Sequence, residues 1–257
     1  MGVIHGPLPP TVITDGLTFN IDCLNTDSYP GSGTVWTSTV NSANVGTMDG
    51  VTFDGEHMVF ADAAGIQDNI SFTQASNILT QTPMSLEWWF YPTNVAGNDI
   101  LFATHNQPSS GTYDGIYTRT SNGQRLHVYG NDADSGGGSG RYLWTYYTTG
   151  GGMFQDDNWY HVVIVIGSTA TVDCNWYLNG SLFTGGNPGG QPWYVPANYY
   201  SNGGYASATT DPLILGSEPG GNHGWDGYLD IARIYNRALT PAEVLNNFNV
   251  EKDRFGL

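Results

Sequence analysis

The chain has 257 residues and a mass of 27.8 kDa, the size of one large all-β domain or two small ones. Only 12% of the residues are charged, against 35 glycines, 13 prolines and 13% aromatics; this is too poor in Lys and Glu for a helical bundle and too rich in rings for a disordered polyelectrolyte. The net charge of -16 leaves seven basic residues, with Lys252 the sole lysine, so neither nucleic acid nor an anionic membrane surface is an expected partner.

Residues 1–15 read as an extended arm, because Pro7, Pro9 and Pro10 block helix and central strand alike. This stretch has no basic n-region and no apolar h-region, so no secretory leader is expected. No apolar run reaches the roughly 18 residues of a membrane span. From Gly16 onward, short strand-like runs alternate with turn chemistry. LTFNIDC (17–23) places Leu17, Phe19, Ile21 and Cys23 on one face. VTFDG (51–55) and HMVFAD (57–62) flank Asp54-Gly55, a tight hairpin signal. NISF (69–72) is brief, and MSLEWWFYP (84–92) is long and aromatic. DILFATH (99–105), GIYTRT (115–120), RLHVYG (125–130) and YLWTYYTT (142–149) follow, with a Gly-rich loop over 130–140. WYHVVIVIG (159–167) and TVDCNWYLNG (171–180) read as a hairpin pair, with Asn179-Gly180 as a type I′ turn. PLILGSE (212–218) and GYLDIARIYN (227–236) close the series.

Many short strands at this spacing predict a sandwich or barrel. One helix is expected near the C-terminus. Thr240-Pro241-Ala242-Glu243 has Thr at the N-cap, Pro at N1 and Glu at N3, a capping box with the favoured proline. Leu245 and Phe248 then form a short apolar stripe. Cys23 and Cys174 allow one disulfide, but both sit in strand-like runs and read rather as two reduced core thiols. The expected organisation is an arm (1–15), one domain (16–250) and a charged tail (251–257).

The run WDGYLDIARIYNRALTPAEVLNNF (225–248) resembles the closing motif of LamG-like jelly rolls in the concanavalin A-like lectin/glucanase superfamily. NWYHVVIVIGSTATVDCNWYLNGSLFTGG (158–186) is similar to the same family's Trp-x-His-Val hairpin ending in Tyr-x-Asn-Gly, and FDGEHMVF (53–60) and SLEWWFYP (85–92) match its earlier strands. The resemblance implies an all-β, two-sheet antiparallel jelly-roll sandwich with one short C-terminal helix. FNIDCLNTDSYPGSGTVW (19–36) and NFNVEKDRFGL (247–257) resemble LamG-like proteins of tailed bacteriophages, marine and cyanobacterial ones especially. The first loop departs from that pattern, as TSTVNSANVG (37–46).

Chemistry narrows these implications. A glycosidase needs two carboxylates about 5–9.5 Å apart, and the resemblance implies catalytic acids on one strand as Glu-x-Asp followed by Glu, positions that share a face. None of the five glutamates, Glu56, Glu87, Glu218, Glu243 and Glu251, begins such a pattern, so no enzyme is expected. His161, in WYHVV, reads as a packed strand histidine. The family resemblance implies a structural Ca²⁺ held by Asp230 of the last strand with Asp22 of the first; the alternative is that Asp230 caps or pairs with Arg233 or Arg237. Trp193, Tyr194, Tyr199, Tyr200 and Tyr205, with His223 and Trp225, offer rings for a glycan or for a partner subunit, or simply fill the sandwich. The sequons at Asn69 and Asn179 are expected to be chance.

The phage resemblance implies a non-enzymatic virion surface protein, a capsid decoration or tail-appendage (tail-fibre) component assembled in the host cytoplasm. It would contact other virion proteins through its arm, tail and aromatic loops. The runner-up expectation is a carbohydrate-binding module for host-surface glycans; a glucanase-like hydrolase is the weakest.

Overall fold

A computed structural model describes residues 10–63, 66–72, 83–95, 99–103, 106–109, 112–121, 125–131, 141–147, 153–167, 175–183, 212–218 and 223–257. Its strands are β1 (Leu17–Asp22), β2 (Val35–Thr37), β3 (Val45–Asp49), β4 (Thr52–Phe53), β5 (Met58–Phe60), β6 (Asp62–Ala63), β7 (Ile66–Gln67), β8 (Asn69–Phe72), β9 (Met84–Pro92) and β10 (Ile100–Ala103). They continue as β11 (Asn106–Ser109), β12 (Thr112–Ser121), β13 (Arg125–Asn131), β14 (Arg141–Tyr147), β15 (Tyr160–Ile166), β16 (Asn175–Leu178), β17 (Ser181–Leu182), β18 (Leu213–Leu215) and β19 (Gly227–Tyr235). Helix α1 (Pro241–Glu251) and a 3₁₀ turn, η1 (Lys252–Phe255), end the chain.

Apart from β6 and β7, which pair only with each other, the strands form two antiparallel sheets, as the alternating patterns require. One runs β17-β16-β15-β9-β19-β5-β4, with β1 also on β19; the other runs β14-β13-β12-β10-β18-β8-β3-β2, with β11 on β12. This is the expected jelly-roll sandwich. Its core lies between the sheets, where Leu86, Trp88 and Phe90 of β9 alternate with Glu87 and Trp89 on the opposite face. Phe19 meets Phe72 edge-on at 5.1 Å, and Trp88 meets Phe102 at 5.8 Å, so aromatic pairs tie one sheet to the other.

All seven residues of β15, and eight of nine in both β9 and β19, are buried. A two-layer sandwich would leave one face of each wet. Here α1 and η1 cover the outer face of the first sheet, which explains runs as apolar as YHVVIVI. The capping box forms as predicted: Glu243 N–H donates to Thr240 Oγ1 at 3.3 Å, and Thr240 N–H to Glu243 Oε2 at 2.7 Å. The buried stripe differs from the expected one. Val244 and Asn247 are buried while Leu245 is 46% exposed, because the sheet beneath presents a carboxylate that Asn247 can reach.

Two turns carry specific chemistry. Asn179 and Gly180 have φ of 49° and 75°, the type I′ geometry expected of Asn-Gly. By contrast, the Asp54-Gly55 turn is a four-residue loop, not a tight one. Asp54 Oδ1 accepts the N–H groups of Glu56 (2.9 Å) and His57 (2.8 Å), an Asx turn that holds two further residues out of the ladder.

Residues 11–15 and the C-terminal tail engage the domain. Ile13 N–H donates to Asn247 Oδ1 at 2.9 Å, Asn246 to the Thr11 carbonyl at 2.8 Å, and Arg237 to the Asp15 carbonyl at 3.0 Å. In the tail, Phe255 is buried on Trp89 and Arg254 pairs with Asp22 at 2.7 Å. Cys23 is a free, buried thiol; Cys174 and residues 1–9 lie outside the described residues.

Candidate functional site

Strand β19 changes neighbours partway along. Gly227 and Tyr228 pair with Phe60 and Val59 of β5, whereas Ile231 to Tyr235 pair with β1. Asp230 sits at the changeover, beside a register shift between Leu229 and Ile231. Such bulges re-aim a side chain, and this one turns the Asp230 carboxylate into the gap between β1 and β5. There Met58 N–H donates to Oδ1 at 3.1 Å and His57 Nδ1 to Oδ2 at 2.7 Å. Arg254 Nη2 lies 3.6 Å from Oδ2, while its Nη1 donates to Asp22 Oδ1 at 2.7 Å.

Asp22 and Asp230 are thus brought together as expected, but the cation between them is the Arg254 guanidinium. Neither Arg233 nor Arg237 is Asp230's partner. Arg233 pairs with Glu87 and Glu251, and Arg237 with Asp15 and Glu243. Among the described residues no group of three or more His, Cys, Asp and Glu is placed to hold a metal. Calcium takes six to eight oxygens, and of the four carboxylate oxygens here three, Asp22 Oδ1 and both of Asp230, already accept donors. Burial is the largest influence on Asp230 and raises its carboxyl pKa; the hydrogen bond to Asp230 raises that of His57. Burial pushes the neighbouring Cys23 thiol up as well.

A second polar centre lies under α1. Glu87 is fully buried and accepts four donors: His161 Nε2 (3.1 Å), Arg233 Nη1 (3.0 Å), Tyr235 OH (3.1 Å) and Asn247 Nδ2 (2.9 Å). Arg233 also grips Glu251 with both guanidinium nitrogens, the forked geometry that makes such pairs strong. Burial works to raise the Glu87 pKa, yet Arg233, His161 and Asn247 outweigh it and hold the carboxyl well below the usual carboxylate range. His161 is the packed strand histidine predicted from sequence, ringed by Trp89 at 4.7 Å and Phe248 at 5.7 Å. Both buried acids are ion-paired and covered by their own chain.

Beyond the end of the tail, the outer face carries a cluster of rings. Tyr228 stacks on His57 (4.9 Å, 13°) and on Tyr91 (5.1 Å, 19°). Trp159 closes the figure, 5.1 Å from His57 and 5.5 Å from Tyr91, and rests on Phe255 at 4.5 Å. His57, Tyr91, Trp159 and Tyr228 are all half-buried. Asp157 stands beside them with φ of 60°; its N–H donates to the Pro92 carbonyl at 2.8 Å, and its carboxylate accepts from Tyr91 OH at 3.4 Å. The loop 154–159 is thereby fixed against the end of β9.

The sequence singled out other rings. Trp193, Tyr194, Tyr199, Tyr200 and Tyr205 lie outside the described residues. Trp225 is a core residue, not a contact: it is 1% exposed and meets Phe90 edge-on at 5.5 Å, because its N–H bond to the Gly216 carbonyl (2.7 Å) pins that segment inward. His223 is exposed, and its carbonyl accepts Ile100 N–H at 3.0 Å. The reading from sequence missed His57, Tyr91, Trp159 and Tyr228 as a set. The available signal was alternation in β9, where Tyr91 continues the outer row Glu87–Trp89.

A family model described as the concanavalin A-like lectin/glucanases superfamily matches residues 64–245, and the chain belongs to that family. A comparison with curated protein sequences finds no match. Among solved structures, Trypanosoma rangeli sialidase with the inhibitor DANA is similar at a TM-score of 0.61 and 15% identity, over 96% of this chain but 34% of that one. The binding domain of botulinum neurotoxin serotype D gives a TM-score of 0.57 at 11% identity, over 91% of this chain and 52% of the other. Domain 4 of AbnA, an extracellular arabinanase from Geobacillus stearothermophilus, in complex with arabinotriose, gives 0.52 at 16% identity, over 90% and 97% of the two chains. The chain therefore spans about a third of the sialidase's length, and at these identities the likeness is one of fold.

Proposed function

We propose that this chain is a non-catalytic carbohydrate-binding module whose binding surface is the ring cluster Tyr91–Trp159–Tyr228–His57. The carrying observation is that cluster: four half-buried rings on one sheet face, bordered by fixed polar groups. Saccharides pack their C–H faces on aromatic side chains, while nearby polar groups orient their hydroxyls. The arabinotriose complex of a similar fold lends support. The pairing of Glu87 and Asp230 with cations and with backbone or side-chain donors supports a non-enzymatic role.

The test is titration calorimetry against an oligosaccharide panel, with Trp159→Ala as the site variant and melting temperature as the fold control. Binding by the wild type, weakened in the variant, is expected. Release of reducing sugar from any panel member would refute the non-catalytic reading.

A finer reading sets this module on the surface of a tailed-phage particle. It rests on the resemblance of 19–36 and 247–257, and one observation favours treating these stretches as a unit: Asp22 and Arg254 join them at 2.7 Å. Constant stoichiometry with purified particles is the expected result, and absence of the chain from particles would refute it.

A further inference from the structure

The ring cluster sits in a negative border. Asp157 is exposed and touches Tyr91 OH at 3.4 Å. Glu56 is 83% exposed at its side chain and lies 3.9 Å from His57 Nε2. Asp54 heads the loop that carries His57.

The nearest guanidinium is committed elsewhere. Arg254, over the Phe255 ring at 4.9 Å, pairs with Asp22 and Asp230. Lys252 lies 5.8 Å from the Phe248 ring, further along the outer face. His57 spends Nδ1 on Asp230 and has Glu56 3.9 Å from Nε2. The whole chain adds a net charge of -16, which repels anions at long range.

From this arrangement we infer that the cluster takes uncharged saccharides and rejects acidic ones, such as sialylated or uronic-acid glycans. The inference rests on the carbohydrate-binding reading above and assigns its ligand class. An acidic sugar seated at this cluster brings its carboxylate toward Asp157 and Glu56, with no free guanidinium or ammonium beside it among the described residues. A neutral sugar meets rings for its C–H face, and phenol and carboxylate oxygens for its hydroxyls. Rejection is therefore electrostatic. It weakens with salt, because the screening length is about 10 Å at 0.1 M.

The experiment compares matched neutral and sialylated oligosaccharides by titration at low ionic strength. It uses the wild type, Glu56→Gln/Asp157→Asn and Tyr228→Phe. Asparagine tolerates the left-handed conformation of residue 157, and Tyr228→Phe keeps the ring stack, so both variants hold the fold. One charge pair at about 4 Å in water is worth about 1 kcal/mol, or about five-fold in affinity. The expected result is neutral binding at least about five-fold tighter than sialylated binding. The double variant and added salt should each shrink that gap, and Tyr228→Phe should weaken neutral binding alone. Equal or tighter sialylated binding overturns the inference, as does a preference untouched in the double variant. If no saccharide binds at all, the carbohydrate-binding reading falls first. If saccharides bind equally to Trp159→Ala, binding stands and its place on this cluster falls.

Discussion

Replacing Glu87 by leucine removes the one acceptor shared by four buried donors. The Arg233 guanidinium keeps Glu251 but loses its inner partner, His161 Nε2 and Tyr235 OH lose theirs, and Asn247 Nδ2 is left with Tyr235 OH alone. Leucine supplies volume without lone pairs. Breaking a buried ion pair from one side costs about 3–5 kcal/mol, since the surviving charge stays desolvated. For a chain of this length each kcal/mol moves the melting midpoint roughly 2–4 °C, so a fall of roughly 6–20 °C is expected. Glu87→Gln keeps the shape and one acceptor, and should cost about 1–3 kcal/mol. The assay is urea unfolding followed by tryptophan fluorescence, with the slope against denaturant checked for constancy. A Glu87→Leu variant within about 1 kcal/mol of the wild type, with unchanged slope, would refute the claim that this centre holds α1 on the sheet.

Stability should fall as pH rises through the His57 titration. Its folded pKa is raised, so its contribution is complete below the ordinary imidazole value and is lost above the folded one; His57→Gln should flatten that slope in melting curves taken between pH 6 and 9. Millimolar Ca²⁺ or EDTA should leave the melting temperature unchanged, because Arg254 already provides the positive charge between Asp22 and Asp230; a rise with Ca²⁺ would show the ion displacing the guanidinium. Thr240→Ala should cost about 1 kcal/mol by removing the helix cap, read by the same urea unfolding. Arg237, helped by Thr240, holds the Glu243 carboxyl down to about 2, so the Glu243 contribution should persist at neutral pH and fade as pH falls from about 4 toward 2.

Local pattern carried the architecture. Period-two alternation in LTFNID and MSLEWWFYP marked strands, and Thr240, Pro241 and Glu243 fixed the helix start because capping acts over four residues. Asn179-Gly180 specified its own turn by tolerating positive φ. These signals are legible because cause and effect lie within a few residues of one another. The candidate site was legible only in fragments. Asp22 and Asp230 were singled out, but nothing pointed to Arg254, 232 residues from Asp22, which stands between them. Trp225 looked like a surface ring until the bond to Gly216 turned it into the core. His57, Tyr91, Trp159 and Tyr228 come from a loop, two strands and a strand edge. Nothing in their spacing joins them; the sheet does, by setting Tyr91 and Tyr228 side by side and bringing the tail beneath Trp159. Periodicity states which face a side chain takes. Which other side chains share that face is decided only when distant strands pair, because pairing, not sequence distance, sets what lies about 5 Å away.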